Sequence, residues 1–176
     1  MGKLHLCARC AQLGKTCCQL TEIHVTAGDV KRIAAQSSRI DFYEYRRPVN
    51  QEYAADDNDP VWQFLVFRPD GSRRVLKQQQ SGDCFFLGPH GCQLPMEARP
   101  LICRLHPYLY NANGILDGVL DQRCPSHLLE SGDSLPAVLG MSLEQARTWH
   151  NTLYAEIKFS DGDLVNENWT DLRPAV

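Results

Sequence analysis

Residues Gly82–Pro107 read G-D-C-F-F-L-G-P-H-G-C-Q-L-P-M-E-A-R-P-L-I-C-R-L-H-P and carry Cys84, Cys92 and Cys103 among turn-forming Gly and Pro residues. Four more cysteines, Cys7, Cys10, Cys17 and Cys18, fall within the first eighteen residues, and Cys124 stands alone downstream. These positions decide the reading of the fold. Two sulfur-bearing segments, far apart along the chain, are expected to converge on metal, with short elements packed around them.

What eight cysteines do depends on the compartment. The start, M-G-K-L-H-L-C, lacks the apolar core of a signal peptide. Leu6 stands where a myristoylation signal has Ser or Thr. No apolar run approaches the eighteen or so residues of a membrane span. A cytoplasmic protein is therefore expected, and in a reducing cytosol clustered cysteines read as metal ligands or catalytic thiols rather than disulfides. The adjacent pair Cys17-Cys18 agrees, because a bond between neighbours is strained and each would need its own partner. Buried free thiols acting as small hydrophobes explain one or two, such as Cys18 or Cys124, and not all eight.

The chain has 176 residues and 43% hydrophobic content, which suits one compact core that needs no disulfides to fold. A net charge of -3 gives no broad electrostatic case for nucleic acid. The sequence names no protein partner and no substrate.

Thiolate is a soft ligand that suits zinc, copper(I) and iron–sulfur clusters. Cys7-Ala-Arg-Cys10 has the C-x2-C spacing that points two sulfurs at one ion. Residues 1–18 are expected to form a ligand-bearing loop that turns at Gly14. A thioredoxin-type redox pair would follow a strand in a βαβ unit, and none precedes it. Eight thiolates furnish two four-cysteine sites, or one such site with the remainder structural. Successive residues of an extended chain face opposite sides, so Cys17 and Cys18 are expected to serve different sites. Cys84, Cys92, Cys103 and Cys124 are separated by seven, ten and twenty residues. That irregularity leans away from a zinc ribbon and towards an iron–sulfur cluster. Arg99 and Arg104 lie beside ligands and are the candidates to donate hydrogen bonds to sulfur. His90 and His106 are reserve ligands. No catalytic residue is identified.

The remaining chain reads as a small α+β domain over residues 1–159, followed by a polar tail, 160–176. Leu20 to Val25 is expected to be extended. Thr26 caps a helix from about Ala27 to Gln36, with Asp29 favourable to its dipole. The run Asp56-Asp57-Asn58-Asp59 reads as a solvated loop. Trp62–Phe67 and Arg73–Gln78, around Pro69-Asp70-Gly71-Ser72, read as a hairpin with Arg68, Arg73, Arg74 and Lys77 on its solvent face. Cys84–Leu87 is a short strand, Pro95–Leu105 a helical turn, and Tyr108–Asn111 with Ile115–Leu120 a second hairpin about Asn113-Gly114. Cys124-Pro125 starts a turn. Ser142 and Gln145 form a capping box on a helix whose stripe is Leu143, Ala146, His150, Leu153 and Ile157. His150 on that stripe reads as a satisfied core residue.

Taken together the motifs resemble the YkgJ-type cysteine-cluster family, of the CxxCxxCC type. The matching residues are Cys7, Cys10, Cys17 and Cys18; then Thr26 and Asp29; then Cys84, Phe86, Leu87, Cys92, Arg99, Pro100, Cys103, Arg104, Pro107 and the late Cys124. The gap from Cys10 to the Cys-Cys pair is longer than the family's short form. The resemblance spans roughly residues 7–125 and implies a domain chelating zinc or iron through cysteine. A similar cluster occurs in a flagellin lysine methylase, which implies enzymology among relatives. Three functions follow as expectations: a metal-binding protein holding zinc or iron; an iron–sulfur redox protein or component of a cluster-dependent modifying enzyme; and a zinc-stapled interaction module.

Overall fold

A computed structural model of the chain describes residues 6–13, 17–49, 59–119, 124 and 126–158. Its architecture is α+β: six short helices and three two-stranded antiparallel ribbons among the described residues. The helices are α1 (Leu6–Gln12), α2 (Ala27–Ser37), α3 (Pro60–Val66), α4 (Leu101–Leu105), α5 (Leu135–Val138) and α6 (Leu143–Glu156). The strands are β1 (Tyr43–Arg46), β2 (Arg73–Leu76), β3 (Leu87–Gly88), β4 (Gly91–Cys92), β5 (Tyr108–Asn111) and β6 (Gly114–Val119). They pair β1 with β2, β3 with β4 and β5 with β6.

Local chemistry accounts for the best-defined elements. The Thr26 hydroxyl accepts from the Asp29 amide at 2.9 Å while the Asp29 carboxylate accepts from the Thr26 amide at 3.1 Å. This reciprocal box starts α2 as the sequence reading expected. Ser142 and Gln145 do the same for α6. The Asn113-Gly114 turn joins β5 to β6, and Pro89-His90 joins β3 to β4. His150 is buried, with Nε2 2.7 Å from the Asn111 carbonyl, a satisfied core residue. Leu143, expected on the α6 stripe, is 44% exposed, and Tyr154 takes the buried place instead.

Four expectations are overturned. The strand expected over Cys84–Leu87 begins only at Leu87: Cys84 makes an isolated bridge with Gln78, and Phe85-Phe86 turn. Cys7 and Cys10 lie on a helix rather than a loop, because i and i+3 share a helix face as readily as a turn aligns them. The segment from Trp62 is helical, not a strand. Asp59 caps it by accepting from the Trp62 amide at 3.0 Å, and Pro60 occupies its first turn, where a missing N–H costs nothing. β2 therefore pairs with β1, Arg73 facing Arg46 and Leu76 facing Tyr43. On its other side Leu76 donates to the Ile23 carbonyl at 2.8 Å and Val25 donates to Arg74 at 3.1 Å. Flanked on both sides, β2 is buried throughout, so Arg73 and Arg74 are not on a solvent face. Arg73 pairs with the buried Glu22 carboxylate at 2.8 Å. The Gly14 turn, Asp56-Asp57-Asn58, Pro125 and the 160–176 tail lie outside the described residues.

Apolar residues gather in three clusters. Ile23, Val25, Val30, Ile33, Phe42, Leu76, Phe86 and Leu94 form the first, beneath α2 and β2. α4 and α6 supply most of the second, with Leu101, Leu105, Ala146 and Leu153. Leu6, Leu135, Leu139 and Met141 make the third. No helix among the described residues is long and apolar enough to cross a membrane.

Candidate metal centre

The cysteines reach the centre from several elements. α1 brings Cys7 and Cys10. The following segment places Cys17 and Cys18, with the Cys18 carbonyl accepting from the Cys84 amide at 2.7 Å. A bridge between Gln19 and Asp83 extends that pairing, and Leu20 adopts a left-handed φ of 54° as the chain leaves it. Cys92 ends β4, Cys103 sits in α4, and Cys124 arrives after β6. Gly91, at φ 94°, lets α1 approach: a Cβ there would meet the Ala8 backbone nitrogen at 3.4 Å.

All eight cysteines line one cavity of about 80 Å³, between the first and third apolar clusters. The walls are otherwise mostly apolar, including Ile23, Leu76, Phe86, Leu94 and Met141. Every thiol is unbridged. Cys18 is the hub. Negative charge on its sulfur would raise the thiol pKa of Cys7, Cys10, Cys17, Cys84, Cys92 and Cys103. The Cys17 and Cys18 sulfurs are 4.0 Å apart.

Burial dominates the electrostatics. Desolvation pushes the Cys7 thiol up to about 11 and the Cys84 thiol up to about 12. Cys103 keeps some surface towards the cavity, yet the protein around it also drives its thiol well above the ordinary value. Against this, the backbone N–H groups of Phe86 and Leu87 beside Cys84, and that of Leu94 beside Cys92, lower the pKa of those thiols, while the Leu87 amide also donates to the Cys84 carbonyl at 2.9 Å. Donors aimed at sulfur favour thiolate. Burial resists that charge in the bare protein, and a bound cation offsets it.

Of the residues predicted to support the sulfurs, Arg99 is in place. It lines the cavity, its Nε donating to the Leu94 carbonyl at 3.0 Å, and its positive charge lowers the pKa of Cys92 and Cys7. Arg104 instead donates to the Arg99 and Glu97 carbonyls and is not among the residues lining the cavity. It fastens the turn that carries Arg99. His90 is exposed in its turn. His106 lines the cavity, with Nε2 3.2 Å from the Cys124 sulfur. The amide donors of residues 86, 87 and 94 escaped the sequence reading, although they sit two or three residues after a cysteine, a spacing that identifies them.

The donor set fits a soft metal, since eight thiols face one space whose amides and guanidinium complement thiolate. Among the described residues no three Cys, His, Asp or Glu side chains gather closely enough to hold one ion. The space itself exceeds the roughly 10–15 Å³ of probe volume that one water needs several times over. A family model, CxxCxxCC, described as a "putative zinc- or iron-chelating domain", matches residues 6–125. No curated protein and no solved structure matches the chain.

Proposed function

The chain belongs to the CxxCxxCC family of zinc- or iron-chelating domains, and from that premise we propose that its cavity holds a centre of several metal atoms, an iron–sulfur cluster fitting best. The observation that carries this reading is the convergence of all eight cysteines on one apolar space. A single tetrahedral ion draws four sulfurs to about 3.8 Å from one another, given metal–sulfur bonds of about 2.3 Å. The sulfurs here are spread around a larger space, which suits a group with its own bulk. Charge does not separate the candidates: among the described residues Arg99 is the only Arg or Lys lining the cavity, and four thiolates keep a net negative charge around either a zinc dication or an oxidised iron–sulfur core.

Cys18, Cys84, Cys92 and Cys103, packed against the first apolar cluster, are the residues that would hold the cluster. Amides and Arg99 would keep their sulfurs ionised and oriented. Such a group, when bound, supplies reversible one-electron chemistry or structural cross-linking. The chain's contribution is to exclude water with the apolar walls and to aim donors at sulfur. Unbridged thiols in this number suit a reducing compartment, and the cytoplasm is proposed on that ground.

Zinc is the second reading. It is favoured by the 4.0 Å separation of the Cys17 and Cys18 sulfurs, close to the tetrahedral edge of a zinc–thiolate site. Anaerobic purification with elemental analysis and a visible spectrum separates the two. Iron with inorganic sulfide and an absorbance that bleaches on reduction is expected. Zinc alone, with no visible band, would replace the cluster by the second reading, and absence of any bound metal would overturn both.

A further inference from the structure

The two sides of the cavity are not alike. Cys18, Cys84, Cys92 and Cys103 pack against the first apolar cluster, whereas Cys7 and Cys124 pack against the third. His106 lies beside Cys124 at the cavity wall. Resting on the reading of the cavity as a metal centre, we propose that His106 is itself a metal ligand, giving the Cys7–Cys124 side a mixed nitrogen and sulfur metal position distinct from the all-thiolate side.

Geometry carries this first. A zinc ion with bonds of about 2.0–2.1 Å to nitrogen and about 2.3 Å to sulfur sets those two donors about 3.5 Å apart. The His106 Nε2 to Cys124 Sγ distance is 3.2 Å, so one ion meets both with a small outward adjustment. Sequence spacing supports it. His106 is the C-terminal cap of α4, three positions after Cys103, so the helix that presents Cys103 also brings the imidazole to the cavity wall. The His106 amide donates to the Ile102 carbonyl at 3.1 Å, which fixes the backbone that presents the ring. Cys7 lines the same cavity and packs against the same apolar cluster as Cys124.

Charge explains why a histidine serves here. An apolar cavity lined by one guanidinium resists a further thiolate. Neutral imidazole adds a ligand without adding negative charge, and it is a common donor to both zinc and iron. The arrangement therefore completes a position on the far side of Cys7 without increasing the anionic load.

The test uses the full chain purified anaerobically with its own metal. X-ray absorption at the edge of the metal found should show imidazole scattering beside sulfur. For iron, pulsed electron paramagnetic resonance of the reduced protein should show nitrogen coupling. In His106→Gln the nitrogen signature disappears and affinity for the most weakly held metal falls roughly 10–100-fold. His106→Cys restores the metal content with a sulfur-only shell, which separates ligation from a structural need for the ring. A wild-type protein that holds metal with sulfur alone overturns the assignment of His106 and leaves the metal centre standing, as does nitrogen coupling that persists in His106→Gln. A protein that binds no metal overturns both.

Discussion

Asp29 shows how much can rest on one side chain. It is fully buried, and its carboxylate accepts from the Thr26 amide at 3.1 Å, the Leu101 amide at 3.0 Å and the Arg32 guanidinium at 2.7 Å. The Leu101 bond matters most for the site, because Leu101 opens the helix that carries Cys103. Asp29→Ala leaves two buried amides and a guanidinium without their acceptor. A loss of about 3–5 kcal/mol is expected, by analogy with breaking a buried charged pair, and chemical denaturation measures it. His24 supplies a pH signature. Burial first, and then the charges of Arg73 and Arg74, lower its pKa to about 3, against about 6.5 in an unfolded chain. A depressed folded pKa contributes stability that is present above pH 6.5 and lost as pH falls towards 3, because the unfolded chain takes up a proton that the folded one refuses. The wild-type protein should therefore lose stability by up to about 1.4 kcal/mol per pH unit from this group. His24→Leu should flatten the acid limb by one proton. Urea midpoints of both proteins at pH 7 and pH 5 check this, and parallel curves would refute it.

At the level of elements, the contact between α1 and β4 sets where Cys7 and Cys10 sit. Gly91 has φ 94°, and a Cβ there would come into van der Waals contact with the α1 backbone, 3.4 Å from the Ala8 nitrogen. Gly91→Ala should cost at least about 1 kcal/mol, since the conformation itself disfavours a side chain. It should also weaken metal retention, because relief of the left-handed backbone strain moves β4, which carries Cys92 and touches α1. Equilibrium metal competition read beside the melting temperature separates these effects. Which elements were legible in the sequence follows from the same chemistry. Thr26 with Asp29 and Ser142 with Gln145 are local signals, complete within four residues, and both helices start where they indicate. Cys7 and Cys10 are compatible with helix and turn alike, so only packing of Leu6, Ala8 and Cys10 decides for a helix. The misread hairpin has a similar cause. Pro69-Asp70-Gly71-Ser72 does turn, with the Asp70 side chain accepting from Ser72, yet the segment before it is helical because Asp59 and Pro60 start a helix. β1, the true partner of β2, lies almost thirty residues upstream (Arg46 to Arg73), beyond the reach of local pattern. The eight cysteines could be named as a group. Their division between two walls could not, because it depends on which apolar cluster each segment joins.

Across the whole molecule, three modest apolar clusters replace one large core, and the cavity separates two of them. The ties from α1 to the rest include apolar contacts of Leu6, the approach to Gly91, and the Arg9 guanidinium donating to the Leu128 carbonyl at 3.1 Å. The second cluster, with α4 and α6 packed through Leu101, Leu105, Ala146 and Leu153, is tied to the first by Ile102 and by the Glu156 carboxylate joined to Arg32 and Thr26. On the proposed reading, metal held by cysteines of both walls would cross-link these parts, and its binding free energy would be folding free energy for them. Removing metal should not unfold the protein uniformly. Amides of α1 and of Leu135–Met141 should lose protection from hydrogen exchange by roughly tenfold or more, while those in the middle of α6 change little. Exchange read by mass spectrometry before and after chelation decides between this and a single cooperative collapse. Equal loss in α1 and α6 would show that the clusters behave as one unit, and unchanged exchange in α1 would show that the metal does not hold it.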